Sequence, residues 1–183
     1  MASSDAAFQA LLSGLGKEFK VVAGVGAQMA KDKEGEVLLA LERLVTKKVL
    51  VGIPEDAAGR KDGDEMNNAA RLYVHEFGAR EANISARPTL MPGIEDAKEK
   101  INRYFAQAAR AAVSGDSQRI DIALHSAGTA ARDAVKDRIN SNTPPPLAPR
   151  TLQARRARGN QRTNTLVDTG EMRNAVTYVV VAK

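Results

Sequence analysis

Residues 68–90 read NAARLYVHEFGAREANISARPTL, a run that divides into a helix, a turn and an extended entry to a second helix. Ala69, Leu72, Tyr73, Glu76 and Phe77 recur at three- and four-residue spacing, the stripe of one helix face. Gly78 stands where a helix C-terminus needs a left-handed residue, so the helix is expected to stop there. Asn83 and Ser85 mark a polar turn. Pro88 then forces Arg87 to be extended, because its ring clashes with a helical predecessor. Pro92 suits the first turn of the helix that follows.

Downstream, the spacing predicts a helix over 92–113, with Ile94, Ala97, Ile101, Tyr104, Phe105, Ala108 and Ala112 on one stripe. Residues 114–116 break it, and Ser117 is the expected cap of a helix over 117–140. That helix carries Ile120, Leu124, Ala127, Ala131, Val135 and Ile139 on one side. Two long helices across so short a loop pair as an antiparallel hairpin. Upstream, KKVLVGIP at 47–54 reads as a strand ended by proline, and residues 177–181 read as a second strand able to pair with it. A helix before the first strand is expected to bury Val37, Leu38, Leu41, Leu44 and Val45.

The fold class that results is α+β: a small, mainly antiparallel sheet packed against a long helical hairpin, with an N-terminal helical arm. Residues 1–35 are expected to form the arm and residues 36–183 one domain. Within the arm, Phe8, Leu11, Leu12, Leu15 and Phe19 give residues 5–19 an amphipathic helical spacing. Gly24-Val25-Gly26 reads as a hinge, because no Gly-Lys-Ser/Thr follows to make a phosphate loop.

Composition narrows the function. Hydrophobic content of 43% is ordinary for a globular chain, so wholesale disorder is not expected. Aromatics make up only 4%, so the core must be aliphatic and alanine-rich, which favours help from neighbouring subunits. The chain has no cysteine, hence no disulfide, thiolate metal site or cysteine nucleophile. No apolar run approaches the roughly 18 residues of a membrane span, and no membrane partner is expected. Net charge is +5, and Arg150, Arg155, Arg156, Arg158 and Arg162 form a segment without an intervening acid. That segment can meet phosphate or an acidic partner, but a solvated face is the plainer expectation. No aromatics interleave with it for base stacking.

No catalytic set emerges. His75 and Glu76 lack the second histidine of a zinc-protease motif, and His125 lies on another helix, so structural roles are expected for all three. Glu76 is expected to accept backbone hydrogen bonds near the Gly78 turn. Asp62, Asp64 and Glu65 lack the ligand alternation of a calcium loop and read as solvated charge. Asp168 is expected to cap the turn after it, with Thr169 as a second cap. Arg87 is expected to fork onto a carboxylate, either of another chain or of its own. Residues 143–149 are a proline-rich exit, 151–158 a short helix and 159–164 a mobile loop. Neither a cofactor nor a metal is expected.

Two motifs together carry a resemblance. The first is the helix ending His75-Glu76-Phe77-Gly78, a short polar loop, then Ala86-Arg87-Pro88 and a long helix. The second is Pro145-Pro146-Leu147, then Leu166-Val167-Asp168-Thr169-Gly170-Glu171-Met172 and a final strand. In this order, spanning residues 47–183, the chain resembles the head–tail joining and tail-completion proteins of tailed bacteriophages. The resemblance implies a non-enzymatic virion part made in the host cytoplasm and placed at the junction of the DNA-filled head and the tail. It implies a ring, a hexamer or a dodecamer, touching adjacent connector and tail proteins and, in the channel, DNA. A tail-terminator ring is the nearest alternative, and a basic nucleic-acid-binding protein using residues 150–162 is an alternative of another class. The contact residues expected on this basis are Phe77, Gly78, Arg87, Pro88, Pro145, Pro146, Leu147, Arg155, Arg156, Arg158, Asp168, Thr169 and Gly170.

Overall fold

The computed structural model describes residues 27–60 and 65–182, with side chains from residue 35 onward. The helix expected over 5–19, the glycine hinge after it, and Asp62 and Asp64 lie outside the described residues. Val37–Lys183 forms one compact unit. In chain order the helices are α1 (Ala27–Val45), α2 (Asn68–Phe77), α3 (Leu90–Asp96), α4 (Lys98–Val113), α5 (Ser117–Asn140), α6 (Pro149–Ala157) and α7 (Glu171–Ala175). The strands are β1 (Lys47–Gly52) and β2 (Thr177–Ala182).

The α+β architecture is as expected. β1 and β2 pair antiparallel, with Val49 opposite Val180 and Leu50 opposite Val179. One face of this ribbon lies on the α4–α5 hairpin, where Val49, Val51 and Val180 join the core. Helix α5 runs through that core from end to end. Ile120 and Leu124 pack with Ala40 and Ala108, Ala127 and Ala131 pack with Ile101, and Val135 and Ile139 pack with Leu72, Leu166, Val167 and Met172. All six residues of its expected stripe are buried. Full burial of Ile120, Val135 and Ile139 stabilises the fold by about 1.5–3 kcal/mol each. Lys47 pairs with Asp121 and ties β1 to the same helix.

Several expectations are corrected. β1 stops at Gly52. The helix expected over 92–113 starts at Leu90 and is interrupted at Ala97, whose N–H is shared between the carbonyls of Gly93 and Ile94. Asp116, not Ser117, caps α5, its carboxylate accepting the Arg119 N–H at 3.0 Å. Pro149 is the first residue of α6 rather than part of the non-helical exit, at a position where its missing N–H costs nothing. Leu38 and Val45 are exposed, because α1 presents Ala40, Leu41 and Leu44 to the core instead. Tyr73, Phe77 and Phe105 are exposed too. Tyr73 and Phe77 pack against each other as tilted rings with centroids 4.8 Å apart rather than entering the core.

Candidate functional site: an arginine-lined cleft

The two motifs converge on one cleft. Helix α2 ends at Gly78, whose φ of 78° is the left-handed conformation that glycine tolerates. A side chain there would also press on the Ala86 nitrogen at 3.0 Å, so the returning strand passes directly over it. That return is fixed by the Arg87 N–H donating to the His75 carbonyl at 2.6 Å. Glu76, buried beneath, accepts from the N–H groups of Thr89 (2.7 Å), Leu90 (2.8 Å) and Met91 (3.0 Å). It does accept backbone hydrogen bonds, but at the start of α3 rather than at the Gly78 turn. An N-terminal helix turn leaves such donors unsatisfied, and a carboxylate there also meets the positive end of the helix dipole.

Arg87 joins the first motif to the second. Its Nε donates to the Pro145 carbonyl at 2.8 Å and an Nη to the Pro146 carbonyl at 3.4 Å. The expected fork onto a carboxylate is therefore replaced by a fork onto two prolyl carbonyls.

Asp168 organises the other wall. Rather than capping the turn after it, its side chain accepts from Asn160 and from Arg158 at 3.1 Å, with Arg155 Nε 3.5 Å away. Its own carbonyl accepts from Arg162 at 3.1 Å. Helix α7 has Gly170 at its N-cap, and the Thr169 hydroxyl accepts from the first N–H of the helix, that of Glu171, at 3.4 Å, the capping role expected of it. Arg155 is almost wholly buried and donates to the carbonyls of Asn164 (2.7 Å), Arg162 (3.2 Å) and Val167 (3.3 Å). Burial lowers its pKa, and Asp168 acts against that shift. The 159–164 segment, expected to be mobile, is thus held on both sides by hydrogen bonds. The arginine run is not a uniform solvated face: Arg155 is internal, Arg158 and Arg162 hold the Asp168 turn, and Arg150 and Arg156 are exposed.

The cleft between these walls has a volume of about 600 Å³. Of the expected contact residues, Arg87, Pro145, Pro146, Leu147, Arg155, Asp168, Thr169 and Gly170 line it. Phe77, Gly78, Pro88, Arg156 and Arg158 do not. Sequence reasoning missed Arg60, Arg71, His75 and Glu171 as lining residues. The spacing of Arg71 and His75, one helical turn apart, was the available signal; for Arg60 there was none. Arg60 reaches the wall by donating to Asn68 at 2.8 Å, with Glu171 3.7 Å away. Burial, with Arg87 and Arg71 nearby, holds the His75 imidazole down at about 4, so it is neutral at pH 7. Among the described residues, no group of three or more acidic or histidine side chains is placed to hold a metal ion. No described helix is long and apolar enough to cross a membrane.

Comparison of the chain with protein-family models, curated proteins and solved structures finds no match.

Proposed function

We propose that the chain is a ring-forming assembly subunit at the head–tail junction of a tailed bacteriophage, a neck or tail-completion protein, with a tail-terminator ring as the nearest alternative. It is built in the host cytoplasm and works in the virion by subunit contacts rather than by catalysis. The observation that carries this reading is the outer face of the β1–β2 ribbon. Register and alternation put Leu50, Val179 and Val181 together on the face turned away from the hairpin, and all three are exposed. Among the described residues the sheet has only these two strands, so each leaves one edge without a partner strand. Such edges and apolar faces invite pairing, and closed association between copies satisfies both. The motif residues support a structural role as well. Glu76, Arg87 and Arg155 spend their charges on backbone groups, the work of a scaffold rather than of a reaction centre.

Negative-stain electron microscopy of the concentrated full chain tests this reading. Closed rings around an open channel are expected. Open filaments or unassembled particles at every concentration contradict it.

A further inference from the structure

The cleft has more positive charge than its own carboxylates use. Asp168 is engaged by Arg155, Arg158 and Asn160, and Glu171 faces Arg60. Arg87 donates to neutral carbonyls, which orient its guanidinium without compensating its charge. Among the described residues, no carboxylate comes within ion-pair distance of Arg87 or Arg150. Arg150 stands exposed at the mouth, on the first turn of α6. The same lining carries three apolar side chains, Pro146, Leu147 and Ile84, among its polar ones. We propose that this cleft docks an acidic peptide segment of a partner protein, Arg87 and Arg150 taking its carboxylates while Leu147 and Ile84 receive an apolar residue between them.

The chemistry favours a peptide over nucleic acid. Arginine's planar fork matches a carboxylate, and a recess of about 600 Å³ holds a few residues of extended chain. A duplex instead presents phosphates along a convex cylinder at one charge per about 1.7 Å of axis, which calls for a strip of exposed cations. Here the run at 150–162 turns Arg155 inward and binds Arg158 and Arg162 to the Asp168 turn. Docking does not depend on self-association, so its test and the ring test fail separately.

The test is fluorescence anisotropy on the full chain with a labelled peptide of alternating Glu and Leu, against a Lys-Leu peptide and a short DNA duplex. The Glu-Leu peptide alone should bind. Arg150→Glu and Arg87→Gln should each weaken it by about tenfold or more, and Arg103→Glu, on the exposed side of α4, should leave it unchanged. Among the described residues the Arg150 side chain has no hydrogen-bond or ion-pair partner, so its variant reads binding without disturbing the fold. Absence of peptide binding, or binding unmoved by Arg150→Glu, overturns the proposal. Preference for the duplex, lost in the same variants, overturns it in favour of a phosphate ligand.

Discussion

The Glu76 carboxylate receives the Thr89 backbone N–H at 2.7 Å across thirteen residues of chain. The same carboxylate takes the next two N–H groups of α3, so one buried acid closes the loop and starts the following helix. Together with the Arg87 N–H on the His75 carbonyl, this pairing holds the His-Glu-Phe-Gly and Ala-Arg-Pro segments of the chain against each other. Replacing Glu76 by Ala leaves three buried or half-buried donors without their acceptor and is expected to cost about 3 kcal/mol. Glu76→Gln, which keeps one accepting oxygen, should cost about half as much. Chemical denaturation of both variants checks the order.

Two glycines mark where a neighbour approaches too closely for a side chain, backbone at Gly93 and an aromatic ring at Gly128. A Cβ on Gly93 would stand 2.9 Å from the Val135 Cα, and one on Gly128 would enter the Tyr178 ring. Gly93→Ala and Gly128→Ala should each destabilise by about 1–3 kcal/mol through overpacking. Gly59, with nothing within 4 Å, is the control, and Gly59→Ala should change stability by less than about 1 kcal/mol. Thermal melts of the three variants separate these cases.

His75 sets a pH dependence. Its pKa in the folded chain, about 4, lies below its ordinary 6.5, so between these values the unfolded chain binds the extra proton. Stability is therefore complete above about pH 6.5 and falls as pH drops toward 4, by as much as about 3 kcal/mol. His75→Gln should flatten that slope in urea titrations at pH 7, 6 and 5.

The arginine run separates by depth. Arg155→Ala strips hydrogen bonds from three carbonyls and removes a cation beside Asp168, a loss of about 3 kcal/mol or more. Arg156→Ala, at an exposed site, should change stability by less than about 0.5 kcal/mol. Hydrogen exchange should show the 159–167 amides losing protection in the first variant alone.

Where one physical signal dominates, the fold was legible in the sequence. The α5 stripe holds a constant helical period because one face of that helix is buried along its whole length, and the two β-branched strands stood out as able to pair with each other. Where burial depends on partners distant in sequence, the pattern misled. Tyr73 and Phe77 fit the α2 stripe but pair with each other outside, while Arg155 is indistinguishable in sequence from Arg156 until residues 164–167 fold back over it. Ala97 carries no glycine or proline to announce the break between α3 and α4. Half of the cleft was visible as motifs. The rest was not, because Arg60 and Arg71 reach it from elements whose local pattern concerns only their own helix or loop.

The central claim is self-association through the β1–β2 ribbon. Light scattering of the purified full chain over a range of concentrations, in low and high salt, tests it most directly. The account predicts an assembly of about six or twelve chains that Leu50→Asp, on the exposed ribbon face, converts to monomers without unfolding. A monomer at every concentration, or an assembly indifferent to Leu50→Asp, contradicts it.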